Sequence, residues 1–494
     1  MEFKEASFAL PKSFWESVSA FANSQGGQIV LGIQEDQKEK LYKIKGVDNP
    51  DEIIKTLFNE NNNQAKINMP IISQNDVIKY KVFSHTVIQV NVRKVNNEER
   101  PVYLNNSSQN CYVRTDDGDR KATFQQYKYF IVDSQSEVDT ELLDNYDMDD
   151  LDLTDILRYK KLMAKNMNDS EIINKDNFDF LKDVGVFKRD RTSNLKEYKL
   201  TVGGLLFFGK FNSITQRFPH FQLDYFKYPN SRSNDWTDRI SSGDMNFSSL
   251  NVYSFYNLVL DKLIAGIPDL FLQDEELTRS SYHADLKEAA KEALVNVLMH
   301  PYYDGEQPVK IIDCGEFFEF SNPGEMRVSV ESFLRGATSI SRNPIISTLF
   351  RKIGVSEKAA SGGPRIYKAA TKNHLHFPDI ISLNNTTLVR IWKIDLLSAL
   401  KDDNINLSQE EEKILKFTQE NIAFKFADIK LAIGMFFKND YMLRKSINML
   451  VDKNILFVSG KGKATIYQLK LSETQNELEG LRFIKRLEDI VYDK

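Results

Sequence analysis

The chain has 494 residues, 41% of them hydrophobic and 27% charged, a composition typical of a globular protein with three or four domains of about 150 residues. Its 65 basic and 70 acidic residues give a formal net charge of −5, which excludes a polycationic nucleic-acid binder, so any such surface must be a local patch. The two cysteines exclude a disulfide framework and a four-cysteine zinc site. No apolar stretch reaches the roughly 18 residues of a membrane helix, and the first residues do not read as a signal peptide. We therefore expect a cytoplasmic protein without a membrane partner.

Residues 1–130 are predicted to form a mixed α/β domain. Apolar residues at helical spacing predict a helix over 13–23, and a β-branched run predicts a buried strand over 28–33. The composition then changes, because ten acidic residues and no Lys or Arg lie between Asp133 and Asp155. A block of one charge sign is typical of a solvated connector, so we predict an acidic linker over 131–156.

The remaining residues are predicted to form three folded regions. Residues 157–280 form a middle region of helices and strands, and 281–400 form a second α/β domain with a long helix over 284–300. In 401–470 three helices precede a hairpin with a Gly/Lys tip, which is typical of a winged helix. Residues 471–494 are predicted to form an amphipathic helix that caps a domain or pairs subunits, so we expect a homo-oligomer.

Four short motifs follow one another near the N-terminus. They are Glu2-Phe-Lys4, Ser19-Ala-Phe-Ala-Asn23, Gly26-Gly27 and Leu31-Gly-Ile-Gln-Glu35. In order and spacing this series resembles the Schlafen Alba-like domain. The resemblance implies a nucleic-acid-binding domain over 1–130, and local positive charge for phosphates is supplied by Arg114, Arg120 and Lys121.

The same resemblance implies an alternative, a metal-dependent nuclease of RNA or DNA. By analogy with Schlafen ribonucleases, Glu2 and Glu35 would hold Mg²⁺ or Mn²⁺, and Lys4 would stabilise the transition state. The third family acid, about five residues before the Glu-Phe-Lys motif, has no counterpart here. Binding without cleavage, triggered cleavage and a purely structural role for these residues stay open.

A second set of motifs begins on the long predicted helix. Glu292 and Asn296 are four residues apart and share a helix face, and a carboxylate beside an amide suits a nucleotide site with Mg²⁺. Three further motifs follow in order: Ser321-Asn-Pro-Gly324, Ser341-Arg-Asn-Pro344 and Ser361-Gly-Gly-Pro-Arg365. The series resembles the GHKL-type ATPase domain of the RecG-like C-terminal family over residues 155–385, an α/β sandwich.

That resemblance implies ATP as a cofactor and a role for each motif residue. Glu292 would be the catalytic carboxylate and Asn296 the Mg²⁺ ligand. Asn322 and Gly324 would form the adenine-side loop, and Gly362 and Gly363 the phosphate-side loop. Active members of the wider superfamily carry Asp where Asn322 stands, and Pro364 removes a backbone donor. ATP binding without hydrolysis and a degenerate fold used for dimerisation or sensing both stay open.

The winged helix offers a second candidate nucleic-acid interface. Its predicted contacts are Arg444 and Lys445 on the third helix and Lys461 and Lys463 in the wing, although winged helices also bind proteins. The whole chain is therefore interpreted as a nucleic-acid-binding regulatory or anti-phage defence protein, in which a nucleotide, a phage ligand or a regulatory protein acts at the GHKL-like site. The alternatives are a triggered nuclease and an oligomeric scaffold.

Overall fold

The computed structural model describes residues 2–36, 41–115, 118–134, 138–192, 197–247, 249–267, 281–336, 340–356, 361–373, 375–383, 385–395, 398, 407–420, 423–460, 462 and 465–469. The chain divides into two compact units, Met1–Ser136 and Glu137–Lys494. The predicted mixed α/β, multidomain fold class is confirmed. No helix in the described ranges combines the length and the apolar character that crossing a bilayer requires.

The first unit is an α/β domain built around a sheet in the order β1-β2-β6-β5. Strand β1 runs parallel to β2, and the other neighbours are antiparallel. Its elements are β1 (Glu2–Lys4), α1 (Phe14–Asn23), β2 (Gly27–Leu31), β3 (Ile33–Asp36), β4 (Leu41–Ile44), α2 (Pro50–Asn61), β5 (Val77–Val82), β6 (His85–Val92), β7 (Tyr112–Thr115), β8 (Gly118–Lys121) and α3 (Phe124–Ser134).

Alternation along two strands places the core of this unit on one face of the sheet. Ile29 and Leu31 of β2 and Ile88 and Val90 of β6 are fully buried against the helices. Helix α1 contributes its aromatic residues to the same core. The predicted helix over 13–23 is confirmed, and the predicted strand over 28–33 is interrupted at Gly32, whose φ of +95° ends β2.

The second unit begins with a small module that contains three helices and a three-stranded antiparallel sheet. The sheet has the order β10-β11-β9. The elements are β9 (Leu142–Leu143), α4 (Leu153–Met167), α5 (Glu171–Asn174), α6 (Asn177–Val184), β10 (Phe187–Arg189) and β11 (Tyr198–Thr201). Their apolar residues join the large core of the unit.

The predicted acidic linker over 131–156 is wrong for its described part in this unit, residues 138–156. Asp139 is fully buried and accepts hydrogen bonds from the Ile345 and Ile346 amides. Asp152 accepts from the Thr154 and Asp155 amides and so caps α4. Acidic side chains are favoured at helix N-termini because unpaired amides and the helix dipole meet there. The run of acids therefore reflects helix caps inside a folded module.

The next elements form the largest sheet, in the order β13-β12-β14-β15-β17-β16. They are α7 (Val202–Phe208), α8 (Phe211–Arg217), β12 (Leu223–Lys227), β13 (Asp238–Ser241), α9 (Val252–Ala265), α10 (Ser281–Met299), β14 (Val309–Asp313), β15 (Phe317–Pro323), α11 (Val330–Arg335), α12 (Pro344–Lys352), α13 (Gly362–Lys372), β16 (Asp379–Leu383) and β17 (Thr386–Trp392). Strand β12 pairs in parallel with β14, so the expected boundary near residue 280 does not separate two domains. Both regions share one sheet and one core.

The last described elements form a winged helix with a core of its own. Three helices precede and flank a sheet in the order β18-β20-β19, and the core includes Ile414, Ile429 and Ile447. The elements are α14 (Gln409–Glu420), β18 (Ala423–Lys425), α15 (Phe426–Ile433), α16 (Asp440–Asp452), β19 (Leu456–Ser459) and β20 (Ile466–Leu469). The predicted helix over 471–494 lies outside the described residues.

Candidate functional site

One cavity in the second unit gathers side chains from four separate motifs. Helix α10, strands β15 and β17, helix α13 and the loop before α12 line it. Its empty volume is about 940 Å³, including the space open to solvent. Its motif residues are Glu292, Asn296, Asn322, Arg342, Ser361 and Gly362.

Helix α10 presents two of these side chains because its other face is apolar. Leu294 and Leu298 are fully buried in the core, and Glu292 and Asn296 emerge on the cavity side, one turn apart. Nη1 of Arg365 on α13 lies 3.3 Å from Oε2 of Glu292. Among the described residues the side chain of Asn296 has no hydrogen-bond partner, so its amide is available to a ligand.

The N-terminus of α13 packs directly on this pair of side chains. A Cβ at Gly362 would lie 2.7 Å from Oε1 of Glu292 and 2.8 Å from Nδ2 of Asn296, so any larger residue there would displace the ends of these two side chains. Gly363 does not line the cavity, because its backbone packs against the Phe333 carbonyl instead. Both glycines were predicted for the phosphate-side loop. Gly362 lies at the cavity, whereas Gly363 packs against a neighbouring backbone.

Strand β15 supplies the second amide of the cavity. Asn322 is only 4% exposed, and its Nδ2 donates to the Pro323 carbonyl at 3.0 Å. Its Oδ1 accepts no hydrogen bond from any described residue. Gly324, predicted for the same loop, has a φ of +103° and faces the Arg342 guanidinium, so it shapes the loop and does not line the cavity.

Two residues of the Ser-Arg-Asn-Pro motif hold the walls of the cavity together, a role that the sequence did not reveal. Arg342 is 2% exposed and donates to the carbonyls of His300 and Glu325. Asn343 donates to the carbonyls of Met299 and Pro301, at 3.0 and 2.8 Å. The motif was visible in the sequence. Its partners are backbone carbonyls, which every residue has, so no residue type in the sequence indicates where these hydrogen bonds form.

His300 lies at the C-terminal end of α10 and lines the same cavity. Burial, reinforced by the positive charges of Arg342 and Arg327, lowers the pKa of His300 to about 4. The imidazole is therefore neutral at physiological pH and adds no positive charge to the cavity.

In the first unit, the residues predicted for a nuclease lie in a cluster of paired charges. Nη1 of Arg114 on β7 lies 2.9 Å from Oε2 of Glu2 and 2.8 Å from Oδ1 of Asp119. Nζ of Lys4 lies 3.6 Å from Oε1 of Glu2 and donates to Ser13. Ser17 of α1 donates to the other carboxylate oxygen of Asp119. We call Glu2, Lys4, Arg114, Asp119 and Ser17 the N-terminal charge cluster.

The structure places cations, and no second described carboxylate, on the oxygens of Glu2. The backbone of Glu35 lies in β3, opposite Tyr42 of β4, while its side chain is outside the described part. Within that part, no group of three His, Cys, Asp or Glu side chains is arranged to hold a metal. The metal role of Glu2 and Glu35 stays a prediction. Arg120 and Lys121 are exposed on β8.

Family models match three parts of the chain. Residues 1–123 match the model described as "Schlafen, AlbA_2", and residues 307–391 match "Putative ATP-dependent DNA helicase recG C-terminal". Residues 128–224 match a domain of unknown function. The chain combines an AlbA-like domain with an ATPase-like domain. The second match includes Asn322 and Gly362 but begins after α10, so the place of Glu292 and Asn296 rests on the cavity geometry.

Solved structures give weaker likenesses. The DIP2311 protein from Corynebacterium diphtheriae is 14% identical over 95% of this chain and 94% of its own, with a TM-score of 0.40. The N-terminal domain of a RecG-related protein from Nitrosomonas europaea is 24% identical over 25% of this chain and 82% of its own, with a TM-score of 0.20. No curated protein matches the chain.

The AlbA-like domain uses the Ser-Ala-Phe-Ala-Asn motif to hold its own fold. Asn23 is 3% exposed, accepts from the Val102 amide and donates to the carbonyls of Val102 and Tyr112. Ser19 accepts from the Tyr112 amide and donates to the same Val102 carbonyl. These contacts join α1 to the segment before β7, which carries Arg114 into the N-terminal charge cluster.

The predicted contacts of the winged helix are placed in part. Arg444 and Lys445 are exposed on α16, and the Arg444 guanidinium lies 3.5 Å from the centre of the Phe426 ring. Asn439 caps α16 by accepting from the Met442 amide. Lys461 and Lys463 lie outside the described residues.

Proposed function

We propose that the ATPase-like domain binds a purine nucleotide, ATP with Mg²⁺, and that the bound nucleotide regulates how the protein engages DNA or RNA. The observation that carries this proposal is a single cavity on whose wall the Asn296 amide and the Asn322 Oδ1 have no hydrogen-bond partner among the described residues. Polar atoms that are open toward a cavity can form hydrogen bonds with a bound ligand.

Each amide suits a different part of the nucleotide. Nδ2 of Asn322 donates to the Pro323 carbonyl, and its Oδ1 is an acceptor that suits the 6-amino group of adenine. The Asn296 oxygen suits Mg²⁺, which takes few protein ligands when phosphates supply the others. Gly362 brings the first backbone turn of α13 to the same side of the cavity.

We propose that binding predominates over hydrolysis. Glu292, the candidate general base, is paired with the Arg365 guanidinium, whose Nη1 lies 3.3 Å from Oε2 of Glu292. A general base must lie within hydrogen-bond reach of the water that it deprotonates, and the ion pair with Arg365 competes with that water for the carboxylate.

The nucleic-acid part of the proposal rests on the AlbA-like domain, on the winged helix and on the helicase-derived description of the second matching family. A protein that couples a nucleotide to nucleic-acid binding would act as a regulator or in anti-phage defence. The paired oxygens of Glu2 favour binding over cleavage for the AlbA-like domain.

Calorimetric titration of the full chain with ATP and Mg²⁺ tests the proposal. We expect saturable heat in the wild type and at least about tenfold weaker affinity in Asn296→Ala, about 1.4 kcal/mol. Asn212→Ala is the matched control, since Asn212 is exposed on α8 and outside the cavity. Absence of heat in the wild type, or equal affinities in Asn296→Ala and Asn212→Ala, would contradict nucleotide binding at this cavity.

A further inference from the structure

The module over residues 138–201 has the layout of a second winged helix. Three helices, α4, α5 and α6, are followed by the β-hairpin β10–β11. The C-terminal winged helix has the same succession, α14, α15 and α16 followed by β19–β20. Asp176 caps α6 by accepting from the Phe178 and Asp179 amides, so this last helix before the hairpin begins sharply, as α16 does at Asn439.

The two small sheets also share their strand order. In each, the last strand of the hairpin lies in the middle and pairs antiparallel with both its hairpin partner and an earlier strand: β10-β11-β9 here, β19-β20-β18 at the C-terminus. The modules differ in that β9 precedes the first helix, whereas β18 follows it, and in that α5 has four residues and α15 has eight. A hairpin held in this way against a helix is the geometry of a wing.

The described residues of the hairpin include three exposed cations. Lys188, Arg189 and Arg191 are exposed, and none forms an ion pair or a side-chain hydrogen bond with any described residue. Two described lysines near it are paired: Nζ of Lys182 lies 2.5 Å from Asp179, and Nζ of Lys199 lies 2.6 Å from Asp144 and 2.8 Å from Asp190. Among the described residues, Lys182 and Lys199 are therefore paired with carboxylates, whereas the three hairpin cations have side chains that can contact a ligand.

We propose that residues 138–201 are a second winged-helix module and that its wing, with Lys188, Arg189 and Arg191, binds the phosphates of duplex DNA. Exposed cations that have no acidic partner among the described residues complement a polyanion, and their counterpart on the nucleic acid is the regularly spaced phosphate backbone. This inference rests on the proposed function, because it assumes a nucleic-acid partner. It adds the segment of the chain that contacts this partner.

Helix α12, which follows the cavity-lining loop, contacts this module through hydrogen bonds. Tyr159 of α4 donates to the Leu349 carbonyl at 2.7 Å, and Asn166 donates to the Ile353 carbonyl at 2.6 Å. Asp139 caps the N-terminus of α12, directly after Arg342 and Asn343. A ligand that shifts Arg342 would thus act on the helix that carries the wing module.

Fluorescence anisotropy of the full chain with a labelled random-sequence duplex DNA tests the inference. The double charge reversal K188E/R189E is compared with K161E/K165E, which makes the same charge change on exposed lysines of α4. We expect at least about tenfold weaker binding in K188E/R189E and little change in K161E/K165E. The neutral variant K188Q/R189Q should lower the slope of log affinity against log salt by about 2.

The outcomes separate this inference from the proposed function. Equal losses in both charge-reversed variants, or wild-type affinity in K188E/R189E and K188Q/R189Q, would overturn the role of the wing while leaving nucleic-acid binding in place. Binding of single-stranded nucleic acid alone would overturn the duplex assignment. A wild-type chain that binds no nucleic acid of any kind would contradict the proposed function as well. Far-ultraviolet circular dichroism confirms that each variant is folded.

Discussion

The N-terminal charge cluster and the cavity of the ATPase-like domain both collect residues from sequence motifs, but they treat their polar groups in opposite ways. In the cluster Glu2, Arg114 and Asp119 satisfy one another. In the cavity Asn296 and Asn322 have side-chain atoms that no described residue satisfies. A motif can therefore mark either a fold-holding network or a ligand site, and the hydrogen-bond partners decide which.

The largest effect is expected from the residue that holds the cavity walls. Arg342→Ala should lower the free energy of unfolding by about 3 kcal/mol, because the buried carbonyls of His300 and Glu325 lose their donor. Chemical denaturation of the full chain measures this, with Arg232→Ala on an exposed loop as the control. Similar stability in both variants would show that the cavity does not depend on Arg342.

A motif residue of the AlbA-like domain should behave like a structural residue. Asn23→Ala should lower the free energy of unfolding by about 2 kcal/mol, since the Val102 amide and the Tyr112 carbonyl would lose the hydrogen bonds that Asn23 forms with them, while the Val102 carbonyl keeps Ser19 as a donor. Hydrogen exchange at Val102 and Tyr112 should become faster, while the exposed control Gln64→Ala leaves it unchanged. Unchanged hydrogen exchange at Val102 and Tyr112 in Asn23→Ala would contradict the structural role of this motif.

A residue of the cavity should instead change ligand affinity. Asn322→Ala should weaken ATP binding about tenfold, whereas Asn322→Asp, which keeps an acceptor, should bind ATP more tightly than the alanine variant does. Competition between ATP and GTP, followed by a fluorescent nucleotide, provides the measurement. If the wild type binds GTP as well as ATP, the Asn322 oxygen does not read the 6-amino group.

Much of the local structure could be predicted from the sequence, because apolar spacing and caps are local signals. Helix α1 over Phe14–Asn23 lies where the apolar spacing predicts it, and the three helices and the hairpin of the C-terminal winged helix follow in the predicted order. The prediction of an acidic linker was wrong because helix caps and solvated connectors use the same acidic residues. Only the amides that donate to Asp139 identify it as a cap.

The wing module and the architecture of the cavity could not be predicted from the sequence. Strand β10 has three residues and β11 has four, too few for an alternating pattern to stand out. The cavity depends on contacts across long separations, such as Arg342 with the His300 carbonyl. The motif order predicted which residues meet, but neither the ion pair of Glu292 with Arg365 nor the packing role of Gly363 was foreseen.

The smallest predicted effect is a pH dependence of stability that comes from the cavity. Because the pKa of His300 is lowered to about 4, the unfolded chain takes up its proton first as the pH falls below the ordinary value of 6.5. His300 should therefore reduce stability by under about 1 kcal/mol between pH 7 and 6 and by more toward pH 4. His300→Gln should remove this component in denaturation curves. An identical pH dependence in the variant would contradict the burial of a neutral imidazole.

Hydrogen–deuterium exchange of the full chain with and without ATP and Mg²⁺ tests the central claim most directly, because it locates the ligand. We predict slower exchange around Glu292–His300 on α10, at Phe320–Glu325 and in the first turn of α13, with no change in the N-terminal charge cluster. Protection confined to the AlbA-like domain or the winged helix, or no protection at saturating nucleotide, would contradict the assignment of the cavity as the nucleotide site.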